Sequence, residues 1–305
     1  CAAAVVLGSF ALYCIGTLSC GYYAAVSQSY RFAATDTASE SFKPRAISFV
    51  MAGGVLAGVV GPQLVQITMN MWLPYVFAAS YLAQAGVALV AMLVLSGIDI
   101  PTPTAVSLAT GRPLLDIARQ PRFIVAAICG VVSYMLMNLV MTSAPLAMKM
   151  CGLTLSDSNY GIQWHVIAMY APSFFTGSLI ARFGAARVAL AGLALIGLSA
   201  LVDLQGLTVW HFWSGLVLLG IGWNFGYIGA TAMVVTTHRP EERNKVQAFN
   251  DFLVTGMMAF GSFFSGHLLE TQGWGAVNNV VFPGIALGFA ALAYQRWARP
   301  GRALA

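Results

Sequence analysis

Residues 123–148, FIVAAICGVVSYMLMNLVMTSAPLAM, run without a single charged side chain. A helix needs about 20 such residues to cross the hydrocarbon core of a bilayer. Hydropathy and turn signals divide the whole chain into nine segments of this kind, at 8–30, 46–66, 72–96, 123–148, 159–180, 188–206, 209–235, 246–268 and 274–295. Of the 305 residues, 59% are hydrophobic and only 8% charged, whereas a soluble domain is about 25% charged. That little charge would not cover a soluble surface. The expected fold class is therefore all-α, a polytopic membrane protein with the lipid bilayer as its surroundings.

The basic residues support this division. Arg31, Lys43 and Arg45 fall between the first two segments, and Arg112, Arg119 and Arg122 between the third and fourth. Arg182 and Arg187, then Arg239, Arg243 and Lys245, then Arg296, Arg299 and Arg302 follow at every second turn. Lys149 alone falls on the other side. Positive residues favour the cytoplasmic face, so the C-terminus is expected inside. The net charge of +5 is spread over these loops and does not form the basic face of a nucleic-acid binder. The cysteines, Cys1, Cys14, Cys20, Cys129 and Cys151, have no metal-ligand spacing and read as small apolar residues.

Loops are short except at 97–122, GIDIPTPTAVSLATGRPLLDIARQPR. This Pro- and Thr-rich stretch reads as a cytoplasmic connector between bundles, with a short amphipathic helix after Pro113 placing Leu114, Leu115 and Ile117 toward the membrane. The chain opens at Cys1 inside an apolar run, so a longer protein is expected, with 1–96 a partial N-terminal bundle and 123–305 a six-helix bundle. These residues alone are expected not to transport.

This layout, together with three motifs, resembles the major facilitator superfamily of transporters, built as two six-helix halves joined by a long cytoplasmic loop. GSLIARFGAARV (177–188) is similar to the superfamily's inner-loop motif at Gly177, Arg182 and Gly184, with Ala181 in place of the acidic residue and Ala185 in place of a basic one. GGVLAGVVGP (53–62) resembles its glycine-rich fifth helix, where Gly54, Gly58, Gly61 and Pro62 suit close helix approach and a bend. GIGWNFGYIGATAMV (220–234), RPEERNKVQAFND (239–251) and YRFAATD (30–36) look like a bacterial branch similar to riboflavin transporters. The resemblance implies a secondary active transporter of a small organic solute, working by alternating access with a proton or other coupling ion. It also implies a bacterial inner-membrane location, a monomer and no cofactor.

Polar residues recur at helical spacing within the segments: Tyr23 and Ser27; Tyr134, Asn138 and Thr142; Asn224, Tyr227 and Thr231; Gln247 and Asp251; the segment at 159–180 is less tidy, with Gln163 and Trp164 adjacent. Polar groups in lipid are expected to face a cavity or a partner, and in the resembled fold these stripes fall on helices that border the central cavity. Ser, Thr and Asn also serve as bonds between packed helices, so both roles stay open. Aromatic residues such as Trp164, Trp223 and Tyr227 suit stacking on a planar ligand or plain packing. Trp210 and Trp274, near segment ends, read as interface anchors.

Among the acidic residues Asp251 is the one placed clearly inside a segment, about 9 Å past Lys245 at 1.5 Å per residue. Asp203 comes nearest of the others. Asp251 is a candidate proton carrier, or else a structural partner of basic groups. His165 is a second proton candidate, because its ordinary titration range spans neutral pH. The stretch PEER (240–243) reads as a helix start, with Glu241 and Glu242 complementing the helix dipole. A sensor or scaffold with a transporter fold is the alternative. An integral membrane enzyme would need a motif such as HExxH or GxSxG, and none occurs in the sequence.

Overall fold

The computed structural model of the protein describes residues 1–36, 43–97 and 111–297, with the side chains of 25, 27–36, 43–52 and 240 outside that description. The side chain of Ser27 and connector residues 98–110 therefore lie outside the described residues. Contacts divide the chain into two units, Cys1–Thr104 and Ala105–Ala305.

The first unit contains α1 (Ala2–Leu7), α2 (Phe10–Asp36), α3 (Lys43–Thr68) and α4 (Ala78–Ser96). Pro62 lies inside α3, as the glycine-rich motif anticipates. Side-chain hydrogen bonds link its helices. Tyr13 and Tyr81 share one of 2.7 Å, and Thr68 donates to Ser80 at 2.9 Å. On α4, Leu82, Val87, Leu89, Val90 and Leu93 are exposed, a surface suited to acyl chains.

The second unit contains α5 (Leu114–Ala118), α6 (Pro121–Met150), α7 (Leu155–Tyr170), α8 (Ser173–Phe183), α9 (Ala185–Asp203), α10 (Val209–Val235), α11 (Arg243–Asn279) and α12 (Val281–Trp297). A 3-10 turn, Pro240–Glu242, precedes α11. The α5 helix forms after Pro113 as expected, but Ile117 is fully buried in the bundle core and Leu115 is exposed. The expected segment at 159–180 is two helices bent by 42°. Pro172 has no N–H to continue the ladder, which breaks the helix there. Asn224 of α10 fills the break: its amide donates to Met169 O at 2.6 Å and Ser173 Oγ at 2.7 Å, and its carbonyl accepts from Thr176 Oγ1 at 2.6 Å.

The α9–α10 pair packs backbone against backbone. A Cβ on Gly192 would collide with the backbone of Gly222 and Gly226, and one on Gly229 would sit 2.8 Å from Ala189 N. Small residues at these positions let helices approach in the way membrane bundles favour. The glycines of GIGWNFGYIGA thus have a packing reason. Farther along, α11 turns at Gly273, whose φ of 80° and ψ of 179° interrupt the helix.

Among the described residues, five helical stretches are long and apolar enough to cross a membrane, or six when the bent α7–α8 pair is one span. One of these, Arg243–Trp297, is a stretch of 55 residues that carries both α11 and α12.

Candidate functional site

Three helices of the second unit bring aromatic rings together. Trp223 and Tyr227, one turn apart on α10, stack with centroids 5.3 Å apart and planes 15° apart. Tyr134 of α6 meets both edge-on, at 5.3 Å from Trp223 and 5.1 Å from Tyr227. Tyr170, the last residue of α7, meets Trp223 edge-on at 6.0 Å. These edge-to-face contacts are the geometry that ring quadrupoles favour. The Trp223 indole N–H is buried and has no hydrogen-bond acceptor, while the three tyrosines are only half-buried. The half-buried tyrosines thus surround a buried Trp223 whose N–H is unused.

The other expected site residues divide between roles. Asn138, nearly buried, donates to Met258 O at 3.4 Å, and Thr142 donates back to Asn138 O at 2.7 Å. This ties α6 to α11. Thr231 is exposed and donates to Tyr227 O at 2.8 Å. Gln163 and Gln247 are half-buried, and Trp164 and Tyr23 are exposed. Asn224 is fully buried, with its amide and carbonyl both engaged across the α7–α8 break, so here it acts as an interhelical bond. His165 is fully buried, and its Nδ1 lies 2.7 Å from Leu216 O. Asp251 is half-buried on α11.

Besides the half-buried Asp251, two acids are buried, Asp203 at 2% exposed and Glu242 at 0%. Two readings need correction. Trp274 is no interface anchor: it is buried against Phe212 with centroids 5.2 Å apart. Trp210, by contrast, is exposed. Glu242 does more than complement a helix dipole. It accepts from Arg112 N at 2.9 Å, Arg112 Nε at 2.8 Å, Arg112 Nη2 at 2.7 Å and Arg239 N at 2.9 Å. Arg112 Nη2 also donates to Thr237 O at 3.3 Å, and Lys245 donates to Arg112 O. The Arg112 guanidinium, followed by the Arg239 N–H, holds the Glu242 carboxyl well below the usual carboxylate range. This clamp joins the chain before α5 to the loop before α11. No periodicity signals it, because its partners lie 130 residues apart.

Residues 126–303 match the model of the Major Facilitator Superfamily. The chain belongs to this superfamily. It is similar to the riboflavin transporter RfnT of Brucella anthropi, at 51% identity over 290 residues, covering 94% of this chain and 73% of that one. Two Bacillus subtilis proteins described as uncharacterized MFS-type transporters are also similar. YddS is 29% identical, covering 86% of this chain and 64% of its own length, and YdeG is 29% identical, covering 90% and 68%. The protein is thus a multi-pass membrane transporter of the superfamily. The aromatic group on α6, α7 and α10 lies at the start of, or within, the matched region.

Proposed function

We propose that this transporter is secondary active and carries a planar aromatic solute of the riboflavin class, by alternating access, across a bacterial inner membrane with its C-terminus inside. The observation that carries the reading is the group Tyr134, Tyr170, Trp223 and Tyr227, with its unpartnered indole N–H. A flavin has a flat ring system with carbonyl acceptors, which suits ring faces beside a free donor. Half of the chain's residues match those of a protein named as a riboflavin transporter, which favours that class over other flat solutes. Asn138, Thr142, Gln163, Trp164, Thr231 and Gln247 are the proposed polar lining contributed by the second unit. Asp251 and His165 are the proposed proton-coupling groups, and the C-terminal bundle is 123–305.

Uptake of riboflavin by vesicles holding the protein tests this reading. The wild-type rate is expected to exceed that of empty vesicles and to change with an imposed pH gradient. An aromatic pair contributes roughly 0.5–1.5 kcal/mol beyond burial, so Tyr227→Ala should raise the half-saturating concentration by up to about tenfold. Its thermal unfolding should shift far less than that of a core truncation. Asp251→Asn should keep binding and lose the response to pH. Wild-type uptake no faster than empty vesicles would refute the substrate class, and an undiminished pH response in Asp251→Asn would remove its coupling role.

A further inference from the structure

Asp203 is the last residue of α9, 2% exposed, and neither carboxyl oxygen has a hydrogen-bond partner. It rests against α10 at Gly215, where an added Cβ would collide with the carboxyl. One turn earlier on α9, Ser199 Oγ is also buried and unpartnered. The last turns of α11 add two more such atoms, Trp274 Nε1 and Asn278 Oδ1. Their helix is brought to this corner by the Phe212–Trp274 ring contact at 5.2 Å and by Leu204, whose side chain lies 4.0 Å from where a Gly275 Cβ would stand. Of the ten buried, unpartnered side-chain atoms among the described residues, five belong to these four residues. Half of these atoms thus belong to the last turns of α9 and α11, which pack at the same end of the second unit.

A bare carboxylate cannot persist there. Removing a charge from water without a partner is costly, and Asp203 sits at the carbonyl end of its own helix, where a negative charge is further disfavoured. Among the described residues, no charged group from the packed elements meets it. On α10, His211 bonds Thr208 at 2.8 Å. On α11, His267 and Glu270 are exposed, and on α6 Lys149 is exposed. Arg182 of α8, Arg187 of α9, and Tyr294 and Arg296 of α12 belong to the opposite end of their helices. Carboxyl, hydroxyl and amide oxygens are hard ligands. A single acid provides one negative charge, which suits a monovalent ion better than calcium or magnesium, whose sites draw on several carboxylates and waters.

We propose that the oxygens of Asp203, Ser199 and Asn278 form a binding site for a small monovalent cation, a proton or sodium, at the end of the second unit opposite the Arg112–Glu242 clamp, with the Trp274 indole N–H, a donor only, taking no part in holding the cation. It is separate from Asp251, which lies toward the clamp end of α11. The site stands on the packing of the second unit alone and does not depend on the transport reading.

Protein in lipid nanodiscs provides the test, without any measurement of uptake. Infrared spectra at neutral pH are compared with those of Asp203→Asn, and thermal unfolding is measured in sodium chloride and in choline chloride of equal ionic strength. A carboxylic C=O stretch present in the wild type and missing in Asp203→Asn identifies the proton. Unfolding at higher temperature in sodium chloride, lost in Asp203→Asn, identifies sodium, since a ligand that binds only the folded state raises stability. Ser199→Ala keeps the carboxyl and covers the case in which Asp203→Asn does not fold. It should weaken either signal, with about tenfold more sodium or protons needed for half effect. A wild type with neither signal, or a Ser199→Ala variant that matches the wild type in both, overturns the proposal.

Discussion

Glu242 illustrates how one side chain acquires a role from its partners. Its carboxylate accepts bonds from two arginines and is fully buried. Because the folded carboxyl titrates below the unfolded one, its contribution is complete above the usual carboxylate range and is lost as pH falls through the folded value. The clamp should therefore survive mild acid and fail only in strong acid. Glu242→Gln should lower the unfolding temperature at neutral pH, with the difference from wild type shrinking in strong acid, as read by scanning unfolding against pH. Equal differences at all pH values would show that the charge of Glu242 does not matter. Asn224 makes the complementary case. Its spacing with Tyr227 and Thr231 reads equally as a cavity stripe or as interhelical bonding, and only the break at Pro172 decides its use. A freed helix carbonyl needs a donor, and Asn224 is the donor within reach.

At the scale of elements, helix identity was largely legible. The segment expected at 209–235 is α10, Val209–Val235, because an uninterrupted apolar run in lipid leaves the backbone little choice but a helix. What periodicity did not reveal was where helices bend and how closely they pack. The α9–α10 seam depends on Gly192, Gly222 and Gly226. Gly192→Ala should destabilise by about 1–3 kcal/mol, the usual cost of overpacking. Gly177→Ala, where nothing lies within 4 Å, should be neutral or slightly stabilising, since alanine is the better helix former. Thermal unfolding of both variants in detergent makes the comparison, and similar behaviour would mean that the seam tolerates side chains.

For the molecule as a whole, loop charge predicts an orientation with the C-terminus inside. Cys151 is exposed at the end of α6 near Lys149, whereas Cys129 is buried in the same helix. In a variant with Cys1, Cys14 and Cys20 replaced by Ser, which leaves Cys151 as the exposed thiol, a membrane-impermeant maleimide should label intact spheroplasts. Labelling only after the membrane is opened would place that end inside and reverse the expected topology. The sequence by itself determined the membrane class, the helical segments and the superfamily resemblance, since each rests on local runs of hydrophobicity or short motifs. Only tertiary structure decided that Asp203 is buried without a partner, that Glu242 is clasped by Arg112, and that Trp274 packs inward. Burial and pairing are set by residues far apart in the chain, and side chains with the same local spacing can end in oil, in water or against a partner depending on how the helices meet.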